Sequence, residues 1–363
     1  MTHDIGAAFS DEMNVKEAKN VYCIRHGISL HNVLYERAKT RDVYYTEEVH
    51  DSPLLRQGHL EAQAFGEKWG AKNTVDVAFV STSSRALMTL SNIWRKEIQA
   101  AGFAFPESWG KSDYEDGRLW NWTEEVKRNP LSATRSEELR DILREKFGIG
   151  FYATDHLREF AMGIPANLRK TRKELEILYP WIDFSFVEHN EDFYYYWTLD
   201  ASLNGGFEPT VYSLKEQPRN GTTTQESENI ANGSSSWAKR AAKRQDLVMA
   251  KPPPFDSPED DCGSEYTKTE GAGVVKVLIE SEAATGERCR RFKHLVLTDP
   301  IAQRAKQIAV VAHSGILGLM MFGRVPLEKE QLEHAYPYEY RVDQEGQSAE
   351  VPYEKWGKIR FIS

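Results

Sequence analysis

The stretch Val21-Tyr22-Cys23-Ile24-Arg25-His26-Gly27-Ile28-Ser29-Leu30-His31-Asn32, VYCIRHGISLHN, opens with four apolar or aromatic residues and turns at once into a cationic pair and a glycine. An uninterrupted apolar run bounded by a polar turn reads as a strand buried on both faces. A cationic pair at its end then faces the space beyond the carboxyl edge of the sheet, where open parallel sheets hold their ligands.

Two more runs have the same form, Val75 to Val80 and Ile308 to Ala312, and each of the three is followed by a helix-like stretch. Leu54 to Trp69 carries Leu54, Leu55, Ala62, Phe65 and Trp69 at helical spacing behind the start signals Asp51, Ser52 and Pro53. Ser83 and Ser84 precede Ala86, Leu87, Met88 and Leu90 as a cap precedes an amphipathic run. Alternating strands and helices predict an α/β fold, a three-layer sandwich with a mostly parallel central sheet flanked by helices. The chain is expected to form an N-terminal tail over 1–20 and one catalytic domain over 21–363. That domain is interrupted by a Trp- and charge-rich insertion at about 105–150 and by a flexible loop at about 204–264, poor in apolar residues and rich in Gly, Pro, Ser, Thr and Asn. Phe193 to Trp197, YPYEYRVD and the terminal KIRFIS read as further packed or strand elements.

The 363 residues are 40% hydrophobic and 28% charged, a globular composition, and the net charge of −9 argues against a nucleic-acid partner. Three cysteines, Cys23, Cys262 and Cys289, fit neither a disulfide framework nor a zinc cluster, and suit a cytoplasmic setting. The N-terminal stretch does not read as a secretory signal. The most apolar later stretch, Ile308 to Phe322, is broken by His313 and Ser314, so no membrane span is expected.

The polar residues at the three strand ends are Arg25 with His26, Arg85, and His313. Two guanidinium forks suit phosphate oxygens. Of the two imidazoles, one could attack phosphorus through a neutral ring nitrogen while the other donates to the oxygens of the transition state. Gly27 and Gly315 stand where backbone must approach a ligand closely.

Here the residues resemble the histidine phosphatase superfamily, also called phosphoglycerate mutase-like. The carriers are Arg25-His26-Gly27 with Ser29 and Asn32, SPLLRQGHLEAQAFG, VSTSSRALMT with Arg85, LREFAMGIPANLR with Glu159, and IAVVAHSGIL with His313, in family order over most of residues 21 to 320. The resemblance implies a phosphomonoester hydrolase working without metal or other cofactor on a small phosphorylated substrate. His26 would be the nucleophile, Arg25, Arg85 and His313 would bind the phosphoryl group with Asn32 adding a donor, and Glu159 would be the general acid. Asp155, Glu137 and Glu138 are alternatives for the acid. Ile28, where the family often has Glu or Gln, and LREFAMG in place of the mutase pattern favour a phosphatase over a phosphoglycerate mutase; a non-catalytic binding protein on the same fold is the third reading. His31, His50 and His59 lack the companions of a metal site. Trp109, Trp120 and Trp122 are expected to pack the insertion onto the body.

Overall fold

The computed structural model describes residues 19–40, 43–44, 46–115, 117–160, 165–192, 282–326 and 331–342. The expected loop at 204–264, the run Phe193 to Trp197, KIRFIS and residues 1–18 of the expected tail lie outside the described residues.

The elements run β1 (Lys19–Arg25), α1 (Leu30–Ala38), α2 (Arg56–Lys68), β2 (Val77–Ser81), α3 (Ser84–Ile93), α4 (Arg95–Ala100), α5 (Asn121–Arg128), α6 (Ala133–Phe147), β3 (Gly150–Thr154) and α7 (Arg172–Leu178). They continue with α8 (Glu282–Thr298), α9 (Pro300–Arg304), β4 (Gln307–Ala312), α10 (Ser314–Phe322) and β5 (Pro337–Val342). The sheet order is β3-β2-β4-β1-β5. The first four strands in that order pair in parallel, and β5 closes the far edge antiparallel to β1.

The predicted strands are present, and their continuous apolar character has a geometric cause. Ala78, Val80, Ala309, Val311 and Ile24 point to one face, packed with Phe65, Leu87, Leu139 and Leu175 from α2, α3, α6 and α7. Val77, Phe79, Ile308, Val310, Val21 and Cys23 point to the other, against Phe292 and Val296 of α8 and Ile316 and Met320 of α10. Helices therefore cover both faces, giving three layers. Each fully buried side chain of the Val or Phe class contributes roughly 1.5–3 kcal/mol, so the pattern strongly fixes which residues face which layer.

Residues 105–150 carry α5 and α6 and complete the connection from β2 to β3. Trp109 and Trp122 are buried in the first core face with their rings 4.7 Å apart. Ser132 starts α6 by accepting from Arg135 N, and Gly148 stops it at a φ of 68°, which only a residue without Cβ adopts freely. No helix among the described residues is long and apolar enough to cross a membrane.

Candidate active site

The parallel strands β1, β2 and β4 are neighbours or next neighbours, so their carboxyl ends open on one place. Arg25 ends β1 and His26 extends it by one backbone bond, donating from N to Ala312 O at 2.9 Å. The His26 ring is 2% exposed and its Nδ1 lies 2.7 Å from the Gly27 carbonyl oxygen. A carbonyl only accepts, so the hydrogen sits on Nδ1 and Nε2 keeps its lone pair. Gly27 itself passes so close to α2 that a Cβ there would meet Gly58 O at 2.7 Å.

From β2, Ser81, Ser83 and Arg85 reach the same place. Arg85 is 1% exposed; its Nη1 donates to Ala166 O at 2.6 Å and its Nη2 to Asn167 Oδ1 at 2.7 Å, while Nε has no partner. From β4, His313 Nε2 meets Ser81 Oγ at 2.9 Å and Ser83 Oγ at 3.2 Å, while the buried Nδ1 has no partner. The His26 and His313 ring centroids are 5.1 Å apart. Arg25 Nη1 donates to Leu332 O at 2.6 Å and its buried Nε is likewise without a partner. The structure thus brings together all four residues expected at the three strand ends.

Glu159 follows β3 and the short turn Asp155–Leu157. Its carboxylate sits at the start of α10, accepting from Gly315 N at 3.3 Å and Ile316 N at 3.2 Å, where the helix macrodipole favours negative charge. The missing Cβ of Gly315 admits it, because that atom would lie 2.4 Å from Glu159 Oε1. Glu159 is also the foremost negative charge acting on both Arg25 and Arg85. Asp155 is held elsewhere, by Arg169 Nε at 2.9 Å and by the Thr82 hydroxyl, and Glu137 and Glu138 are exposed on α6. Asn32 lies in the first turn of α1: its Oδ1 accepts from Ser29 N at 3.2 Å and Ser29 Oγ at 2.7 Å, and its Nδ2 donates to His31 Nε2 at 3.2 Å. Its amide is therefore occupied within α1.

Two further histidines, not placed at this site by the sequence, stand beside His26. The half-buried His31 ring is 5.8 Å from that of His26, and the His334 ring is 5.5 Å from it. Buried arginines have a marked electrostatic effect here. Burial first, and Arg85 next, hold His26, His31 and His313 well below the ordinary histidine pKa, so all three rings are neutral at physiological pH. Burial also lowers Arg25 and Arg85 to about 10, which leaves both cationic near neutrality. The site is a cluster of neutral imidazoles, two guanidinium cations and one carboxylate.

No family model matches the chain, and no curated protein matches it. Among solved structures, the chain is similar to an ecdysone phosphate phosphatase from Bombix mori, in complex with tungstate, at 12% identity and a TM-score of 0.37, covering 92% of this chain and 93% of that one. It is also similar to a phosphoglycerate mutase from Bacillus anthracis str. Sterne at 14% identity and a TM-score of 0.34, covering 95% of this chain and 98% of that one. Likeness at this level leaves the chemistry of the site to be argued from its own atoms.

Proposed function

We propose that the chain is a phosphomonoester hydrolase of the histidine phosphatase type, acting through a phosphohistidine on His26. One observation carries the reading: Arg25 Nε, Arg85 Nε and His313 Nδ1 are buried without partners, and they come from three separate strand ends beside a histidine whose open nitrogen is Nε2. Buried polar atoms without partners are costly; a bound anion satisfies the two arginine donors, and His313 Nδ1 joins them in the tautomer whose Nε2 accepts from Ser81 or Ser83. A phosphate ester fits, because the arginines offer planar donors and charge while His26 offers a neutral nitrogen.

In this reading Glu159 takes up a proton from solvent as the dianionic ester enters, the Nε2 lone pair attacks phosphorus, the P–N bond forms as the P–O bond to the leaving group breaks, and Glu159 passes its proton to the departing oxygen. Water then attacks phosphorus, Glu159 accepts its proton, and inorganic phosphate leaves with His26 neutral again. Arg25 and Arg85 compensate the charge of the transferring group, so turnover is expected to persist in a chelator. Among the described residues the arginines acting on His26 are these two, both needed for one phosphoryl group, which favours hydrolysis over transfer between substrates carrying a second anionic group. Buried thiols not joined in a disulfide, at Cys23 and Cys289, fit a cytoplasmic enzyme.

The test is release of phosphate from an aryl phosphate with chelator present, with acid-labile label trapped on the protein. His26→Ala is expected to lower kcat by about a thousandfold or more and to abolish trapping. Unchanged turnover in that variant overturns the reading.

A further inference from the structure

His334 stands on the short segment that leads into β5, and three contacts tie it to the end of β1. It forms a bridge with Arg25, its neighbour Ala335 donates from N to Arg25 O at 2.9 Å, and its own Nδ1 lies 2.7 Å from the His26 carbonyl oxygen. That carbonyl fixes the hydrogen on Nδ1, so the remaining nitrogen of His334, like that of His26, is Nε2. Among the described residues the His334 side chain makes its hydrogen bond through Nδ1, and Nε2 has no protein partner. The His26 imidazole is ringed by His313 at 5.1 Å, His334 at 5.5 Å and His31 at 5.8 Å between centroids. His31 is engaged at both ring nitrogens by Ser29 and Asn32, whereas His313, bonded to two serines through Nε2, keeps Nδ1 and His334 keeps Nε2 for a ligand.

We infer that His334 is a further anion-binding residue of this site, gaining a proton as a phosphate dianion enters and donating through Nε2 to one of its oxygens. The inference rests on the reading of the site as a phosphate pocket. A neutral His334 with its hydrogen on Nδ1 offers the dianion only a lone pair, which repels it. A protonated ring offers an N–H and a charge, and the dianion itself supplies the field that stabilises them. The groups around His334 agree. Arg25 on β1 is its cationic neighbour, His26 and His31 are neutral rings, and on its own segment Glu333 N is bonded to the Tyr338 hydroxyl of β5. Burial and Arg25 hold His334 down at about 4, so near neutrality the proton must arrive with the anion.

The experiment is titration calorimetry of tungstate into the purified protein at a pH of about 7.5 in two buffers of different ionisation enthalpy, which counts protons taken up; tungstate is there the monomeric dianion and takes up no proton of its own. Wild type is expected to bind with proton uptake. His334→Asn keeps an amide able to donate to the His26 carbonyl but loses the outer nitrogen. It is expected to bind roughly tenfold or more weakly, as for loss of a charged hydrogen bond, with uptake lower by about one proton. His334→Gln places a neutral donor near the Nε2 position and is expected to regain affinity without regaining the proton; it also serves if the Asn variant does not fold. Equal affinity and equal uptake in wild type and the folded variants overturn the role of His334 while leaving the phosphate pocket intact. Failure of wild type to bind tungstate overturns the pocket itself.

Discussion

Asn167 Oδ1 accepts from Arg85 Nη2 at 2.7 Å while the same side chain donates from Nδ2 to Phe160 O at 2.9 Å, so one buried amide joins the arginine after β2 to the segment that carries Glu159. Losing it frees one fork of the guanidinium, the group expected to hold substrate phosphate. Asn167→Ala is expected to raise KM for phosphate esters, and the inhibition constant for inorganic phosphate, by roughly ten- to a hundredfold, the worth of a hydrogen bond to a charged group, with a smaller effect on kcat. Steady-state kinetics with phosphate as inhibitor check it; a pure kcat defect would show that Arg85 does not depend on this tether.

Glu159→Gln keeps one oxygen to accept from Ile316 N, loses the second acceptor that faces Gly315 N, and cannot give up a proton. Alkyl phosphates, whose alkoxides leave poorly, are expected to lose about a hundredfold or more in kcat, whereas nitrophenyl phosphate, whose phenolate needs no acid, is expected to change far less. Equal losses on both substrates would reassign Glu159 to structural support of α10.

Arg158 and Asp192 form an ion pair in which both side chains are 2% exposed, and Asp192 also accepts from Arg169 N at 2.8 Å. Removing one partner leaves the other charge buried. Asp192→Ala is expected to destabilise the fold by about 3–5 kcal/mol, whereas replacing both residues by apolar ones of similar size is expected to cost much less. Urea unfolding of the single and double variants measures the difference.

His59 is fully buried on α2, with Nδ1 2.9 Å from Asn92 Nδ2 and the ring 5.5 Å from Trp109. Burial pushes its pKa down to about 4. The unfolded chain binds a proton on this residue below about 6.5, while the folded chain resists until about 4. Its stabilising contribution is therefore complete above pH 6.5 and is lost as pH falls from there towards 4, by about 1.4 kcal/mol per unit. Denaturant midpoints at several pH values in this range should fall more steeply for wild type than for His59→Gln; identical slopes would refute the assignment.

The parts of the fold legible in the sequence are those whose physics is local. β1, β2 and β4 are buried on both faces, so their residues are apolar without interruption, and the residues just past each run were bound to meet because parallel strands share a carboxyl end. β3 gave no such signal: Gly150 to Thr154 is short, begins with glycine and directly follows the charged helix α6, so it merged with the stretch read as an insertion. His334 was hidden because its place depends on pairing across the sheet edge between residues more than three hundred positions apart, Arg25 and His334. For Asn32 the pattern indicated a donor near phosphate, but local capping geometry engages its amide with Ser29 and His31.

Strand β4 lies between β1 and β2, yet it is made long after both. During translation the first two strands leave the ribosome with nothing to fill the slot between them. Until Gln307–Ala312 emerges, their facing edges carry unsatisfied backbone groups and apolar side chains. The parallel sheet therefore cannot close until this late strand has been made.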